Sequence, residues 1–262
     1  NDEVYYWTYA LYPDWSHFDH PPMVGWLIQL FSCNLLFDSE FFLRLSSIIF
    51  MTINTYLVFL IGKQVKNEQT GFYAALLYTA SIYAFVITGI FILPDTPLSI
   101  FTLLAVLQFV KYFQYEKNKH LLLAGLFTGL AMLSKYSGVF VWVGVGLYVI
   151  IYARKEFKNP FLYLSVLISA VCMLPVLIWN LNNDFISFTF HGGRVGFFGD
   201  FHPEYFLTEI IGELGYNNPV NYVLIIISLV ALIKGKNFIA DMPKRLILCL
   251  SFPLILLFWF FS

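Results

Sequence analysis

The stretch FFLRLSSIIFMTINTYLVFLIG, residues 41–62, decides the fold class, because it stays apolar for the length of a membrane-crossing helix and carries one charge, Arg44. A hydrocarbon core about 30 Å thick needs about 20 such residues in a helix. Working outward, comparable runs lie at about Thr70–Leu93, Pro97–Phe113, Leu121–Ser134, Gly138–Ala153, Phe161–Ile178 and Val220–Ile233, and from Leu246 to the end. The pattern predicts an all-α, polytopic transmembrane helical bundle of about eight spans. A composition of 59% hydrophobic and 12% charged residues, with mean hydropathy +0.73, makes lipid the solvent for most of the chain. The apolar runs are continuous, which excludes a β-barrel, whose strands alternate apolar and polar residues.

Cytoplasmic loops collect Lys and Arg, so the charges test this topology. One set of alternate loops holds Lys63, Lys66, Lys111, Lys117, Lys119, Arg154, Lys155, Lys158, Lys234, Lys236, Lys244 and Arg245. The other keeps Arg44, Lys135 and Arg194 among acids that include Asp2, Glu3, Asp14, Asp19, Asp38, Glu40 and Asp95. The acidic face is therefore expected to be non-cytoplasmic. The chain divides into an outer loop at 1–40, a transmembrane core at 41–178, a second long outer loop at 179–219 and further transmembrane helices at 220–262. Within the first loop, Pro21–Leu36 reads as a re-entrant or interfacial helix. A start at Asn1 without Met and a stop at Ser262 inside an apolar run predict a chain incomplete at both ends. The net charge of -1 leaves no excess of cations to neutralise a row of phosphates, so nucleic acid is excluded as a partner. The cysteines Cys33, Cys172 and Cys249 read as small buried apolar residues.

Four groups of residues could carry chemistry. Asp2 and Glu3 suit a general base or metal ligands, or equally the solvated N-terminus of a helix, whose dipole favours acids. Asp95, in Leu93-Pro94-Asp95-Thr96-Pro97-Leu98, is an ionisable group at membrane depth and so a functional candidate; it is also placed to cap the helix that Pro97 begins. Lys135, Arg194 and Arg44 are the cations available for a lipid phosphate, although Arg44 stands four residues after Glu40 and an i,i+4 ion pair explains it as well. His20, His191 and His202 could hold a divalent cation with Asp19 or Glu3, without any compact ligand spacing to mark the site.

Asp2-Glu3 followed by Tyr5-Tyr6, then Phe18-Asp19-His20-Pro21-Pro22-Met23, the Leu93–Leu98 turn and Gly129-Leu130-Ala131-Met132-Leu133-Ser134-Lys135-Tyr136 resemble the bacterial branch of the dolichyl-phosphate-mannose protein mannosyltransferase family, to which the lipid A aminoarabinose transferases are related. The resemblance implies a GT-C fold, a polyprenyl-phosphate-linked sugar as donor, a site on the periplasmic or external side of a bacterial inner membrane, and a catalytic carboxylate at Asp2 with a second acid at Asp95. Where aminoarabinose transferases carry an acid and Lys before two prolines, this chain has Asp19-His20-Pro21-Pro22, so a phosphate-binding role passes to a weaker cation, His20. The expected reaction is an inverting transfer. Asp2, with Asp95 and Glu3 beside it, takes the proton of an acceptor hydroxyl on a lipid, glycan or protein. Lys135 and Arg194 balance the growing charge on the phosphate. The metal role of Asp19 and His191 remains open at this point. A transporter or flippase for a lipid-linked or anionic substrate is the competing class; it would also place ionisable groups between helices, but no internal repeat is visible.

Overall fold

The computed structural model describes residues 2–194, 208, 211–215, 217–236 and 238–261, without the side chains of Arg194, Ile233 and residues 256–261. All regular structure among these residues is helical, with no strand. Two short helices come first, α1 (Asp2–Leu11) and α2 (Met23–Phe31), then α3 (Glu40–Val65) and α4 (Glu68–Ala80). A π-helical turn, Tyr83–Ile87, leads to α5 (Asp95–Tyr115), α6 (Asn118–Ser134) and α7 (Phe140–Tyr152). The chain continues through α8 (Pro160–Cys172), α9 (Leu174–Asn182), α10 (Ile186–Arg194), α11 (Pro219–Ile233) and α12 (Asp241–Phe261). Asn67, Asn159 and Asn218 cap α4, α8 and α11 with their side-chain oxygens, and the last two are followed directly by proline, which needs no amide at a helix start.

Helices α3 and α5 are each long and apolar enough to cross a membrane, and α8 with α9 forms a third candidate span if the two count as one helix bent by 45°. The chain is an integral membrane protein. Of the remaining apolar runs, the one at Thr70–Leu93 comes out shorter than expected. The run at Thr70–Leu93 breaks because Ser81 is extended, leaving α4 at 13 residues, about 20 Å of helix. Helix α7 with its lead-in turn and helix α11 are apolar and also shorter than a full crossing. The Pro21–Leu36 stretch becomes the nine-residue α2, followed by three left-handed residues, Cys33, Asn34 and Leu35, that turn the chain toward α3. Cys33 is exposed there, not buried as its apolar setting suggests; Cys172 and Cys249 are partly buried.

The bundle has two chemically distinct ends. Helices α3 and α5 run in the same direction, tied by Asn54 Nδ2 to Ser99 Oγ at 2.9 Å midway along α3 and by Gln64 to Gln114 toward its C-terminal end. Helix α6 returns against α5 and packs on α8 through small residues: a methyl at Gly129 would lie 2.8 Å from Ser169 Cα and Cys172 Cβ. Such close approach drives helix association where lipid removes the hydrophobic contrast. At one end lie Asp2, Glu3, Asp19, Arg44, Asp95 and Lys135. At the other, Glu156 accepts from Tyr112, Lys155 pairs with Glu116, and Arg245 sits 4.8 Å over the Tyr152 ring. Lys63, Lys117, Lys119, Arg154 and Lys158 cluster with that second end by their positions at its helix termini.

Candidate functional site

Helix α1 presents Asp2, Tyr5, Tyr6 and Tyr9 on one face, since residues three and four apart align along a helix. It is seated by Gly25 of α2, where a methyl would meet Tyr9 Cβ at 2.8 Å and the Tyr9 carbonyl at 2.9 Å, so no larger residue lets the helices cross this closely. The Asp19 carboxylate accepts from Tyr5 OH at 2.8 Å and from Tyr9 OH. Burial alone would raise the Asp19 pKa, but the hydrogen bonds from Tyr9 and Tyr5 and the nearby His20 hold it below its ordinary value. Three contacts pin the segment from Tyr12 to His20: Trp26 Nε1 to Asp14 O at 3.2 Å, Trp179 Nε1 to Asp14 Oδ2 at 2.8 Å and Ser187 Oγ to His17 O at 3.0 Å. His17 stacks on Tyr9 with ring centres 3.6 Å apart, and burial, outweighing Asp14 and Asp19, lowers its pKa to about 4.

Pro94 occupies the cap position of α5, and Asp95 is the first helical residue, so its carboxylate is not spent on capping. It accepts from Lys135 Nζ at 2.9 and 3.0 Å and from Tyr83 OH at 2.8 Å. Lys135 reaches it from an extended residue between α6 and the turn Tyr136–Val139. The pair opens onto a cavity of about 560 Å³ between α5, α7 and α12, walled by residues such as Leu98, Leu103, Val106, Phe140, Leu250 and Leu254.

Tyr6 joins the two halves. Burial raises its pKa, and the fields of Asp19, Asp95 and Asp2 raise it further, so the three carboxylates converge on one phenol. The Tyr6 hydroxyl has no hydrogen-bond partner among the described residues. Its ring stacks on His20 at 5.6 Å, His20 stacks on His191 at 6.3 Å, and His191 meets Tyr136 edge-on at 4.9 Å. His20 Nδ1 and His191 Nε2 both meet the backbone oxygen of Asp19, the latter at 2.6 Å. Burial lowers the His20 pKa despite the adjacent Asp19.

Comparison with known proteins bears on this arrangement. Residues 19–179, well over half of the chain, match the dolichyl-phosphate-mannose-protein mannosyltransferase family. The chain belongs to that family. The match begins at Asp19 and includes Asp95 and Lys135, the residues around the cavity. A relative, the lipid A galacturonosyltransferase RgtD of Rhizobium johnstonii, is 24% identical over 98% of this chain. The chain spans 54% of that relative's length. No solved structure matches.

Within this family member, the residues singled out from sequence fall into three groups. Asp2, Asp19, His20, Asp95, Lys135 and His191 are brought together. Glu3 is not: it projects from a different flank of α1, bound by Arg44 at 2.9 and 2.7 Å and by the Ile92 amide at 3.1 Å. Burial would raise its pKa, but Arg44 and that amide hold it lower than an ordinary glutamate. Arg44 also makes the expected i,i+4 pair with Glu40, at 3.2 Å. The side chain of Arg194 and the whole of His202 lie outside the described residues.

Among the described residues these groups do not form a three-ligand cluster. Asp19 Oδ1 is taken by two tyrosines, and one nitrogen from each of His20 and His191 is turned to a backbone carbonyl. No three His, Cys, Asp or Glu side chains come together as ligands among the described residues. Sequence reading missed Tyr5, Tyr6, Tyr9 and Tyr83. The first three were visible as a 3.6-residue stripe with Asp2; Tyr83 was not, because the π-helical turn that brings it to Asp95 leaves no periodic signal.

Proposed function

We propose that the protein is a membrane glycosyltransferase that moves a sugar from a polyprenyl-phosphate donor to an acceptor hydroxyl at the acidic end of the bundle. The observation that carries this reading is the Asp95–Lys135 pair at the mouth of an apolar cavity, within reach of Asp2, Asp19 and Tyr6. A prenyl chain suits the cavity, and Lys135 suits the phosphate at its mouth. The name of the Rhizobium johnstonii relative favours a lipid acceptor related to lipid A.

In this reading Asp2, solvent-exposed at the start of α1, accepts the proton of the acceptor hydroxyl. The acceptor oxygen bonds to the anomeric carbon as the bond to the phosphate oxygen breaks, which inverts that carbon. Polyprenyl phosphate leaves without a proton, so no general acid is needed. Lys135 swings part of its charge from Asp95 to the departing phosphate, and Arg194 is the second cation proposed for it. Tyr83 then keeps one hydrogen bond on Asp95. Glu3 contributes by holding α1 in place through Arg44.

The same reading takes the charge segregation between the two ends as orientation. The cationic end is cytoplasmic, the site faces the periplasm or exterior of a bacterial inner membrane, and the shorter apolar helices complete about eight crossings with help from neighbours. The test is direct: purified full-length protein is mixed with polyprenyl-phosphate sugars and a lipid A-type acceptor, and released polyprenyl phosphate is measured. Absence of release with every sugar, from protein that is folded and inserted, would overturn the assignment.

A further inference from the structure

The contact with one backbone oxygen sets the tautomer of His20. The Asp19 carbonyl meets both His20 Nδ1 and His191 Nε2. A carbonyl oxygen only accepts, so each of those nitrogens carries its hydrogen. A neutral imidazole holds one N–H, so the remaining nitrogen of His20, Nε2, presents a lone pair.

His20 is held in that state by its surroundings. Its ring lies between Tyr6 and His191, inclined by 21° and 24° to them, and a ring flip would surrender the Asp19 contact. His20 Nε2 has no hydrogen-bond partner among the described residues and is not enclosed, whereas His17 Nε2 is buried without a partner. His20 also lies close enough to Lys135 and Asp95 to feel both charges. An open lone pair on a neutral ring at this position calls for a hydrogen-bond donor from the substrate. A phosphate in the fully ionised state offers none, while a sugar offers several hydroxyls.

We propose that His20 Nε2 accepts a hydrogen bond from a hydroxyl of the transferred sugar, making His20 a residue that selects the donor by its sugar in place of a cation for its phosphate. The proposal rests on the glycosyltransferase reading above. Donating to phosphate would require a second proton on the ring, which the stacked, half-buried setting disfavours.

The experiment uses the full-length protein with polyprenyl-phosphate hexose and its series of monodeoxy analogues. His20→Gln, which keeps an acceptor oxygen near the Nε2 position, is expected to hold the donor KM within about threefold, and His20→Phe and His20→Lys to raise it roughly tenfold, the scale of one hydrogen bond. One deoxy donor should lose roughly tenfold with the unaltered protein and nothing further with His20→Phe. Full or enhanced activity of His20→Lys would overturn the proposal in favour of a cation. Equal losses for every deoxy donor in both proteins would overturn it in favour of a purely structural histidine. The nitrogen-15 shifts of His20 supply a readout independent of turnover: a hydrogen on Nε2 and none on Nδ1 would also refute it. No release from any lipid-phosphate sugar by the unaltered protein would instead sink the reaction itself, and this assignment with it.

Discussion

Two ion pairs stand at the same end of the bundle with nearly equal exposure: Arg44 and Glu3 at 29 and 26%, Lys135 and Asp95 at 30 and 16%. Their surroundings differ. The Arg44 guanidinium spans both oxygens of Glu3, and the Ile92 amide adds a third donor, so that carboxylate is saturated. The adjoining cleft of about 400 Å³ is rimmed by Asp38 and Glu40 as well as Glu3 and Arg44, so acids outnumber cations there. Lys135 is a compact ammonium on a flexible stem beside a largely apolar cavity, and its partner keeps a second hydrogen bond from Tyr83 when the lysine moves. A half-buried ion pair takes its character from what borders it: the first fastens α1 to α3, and the second borders an apolar cavity.

The sharpest way to break this contrast is to neutralise the acids. Asp95→Asn and Asp2→Asn in the full-length protein are expected to lower transfer by about 10²-fold or more with expression and insertion retained, as loss of a general base or its partner does; full activity of either variant removes that residue from the reaction. Next in size, Lys135→Ala should raise the donor KM roughly tenfold, while Arg44→Ala should leave it unchanged. Equal effects on donor KM would erase the distinction between the pairs.

Glu3→Gln separates them from the other side. Its expected cost is on the order of 2 kcal/mol of stability, seen as a lower Tm, because a charge-assisted bond to Arg44 is lost; kcat at a temperature where the variant is folded should be close to that of the unaltered protein. A fallen kcat with an unchanged Tm would return Glu3 to the chemistry. The smallest effect concerns pH. His17 is held at about 4 against an ordinary 6.5, so between those values the unfolded chain binds a proton that the folded one refuses. Stability should fall as pH drops from about 6.5 toward 4, and His17→Phe, which keeps the stack on Tyr9, should flatten that slope.

The site was only partly legible before folding. Asp2, Asp95 and Lys135 stood out because ionisable groups are conspicuous near membrane-length apolar runs, and Asp19 because it stands in the family-like Phe18–Met23 stretch beside candidate histidine ligands. Glu3 and Asp2 were indistinguishable in sequence, being adjacent; roughly 100° of helical rotation puts one beside Arg44 and the other on the tyrosine face. The crossing expected at Thr70–Leu93 was misjudged because hydropathy averages over the extended Ser81 and the π-helical turn, which change direction without changing polarity.

Composition and the lengths of the apolar runs determined by themselves that this chain is helical and lives in lipid, because hydrocarbon requires a spanning backbone to satisfy its own hydrogen bonds. The distribution of lysines and arginines likewise foretold a bundle with two unlike ends. Only the tertiary structure decided which acids share a cleft, which cation borders the apolar cavity and which histidine nitrogen is bare. Those outcomes depend on contacts between residues as much as 172 positions apart, such as His191 with the Asp19 carbonyl, and no local pattern encodes them.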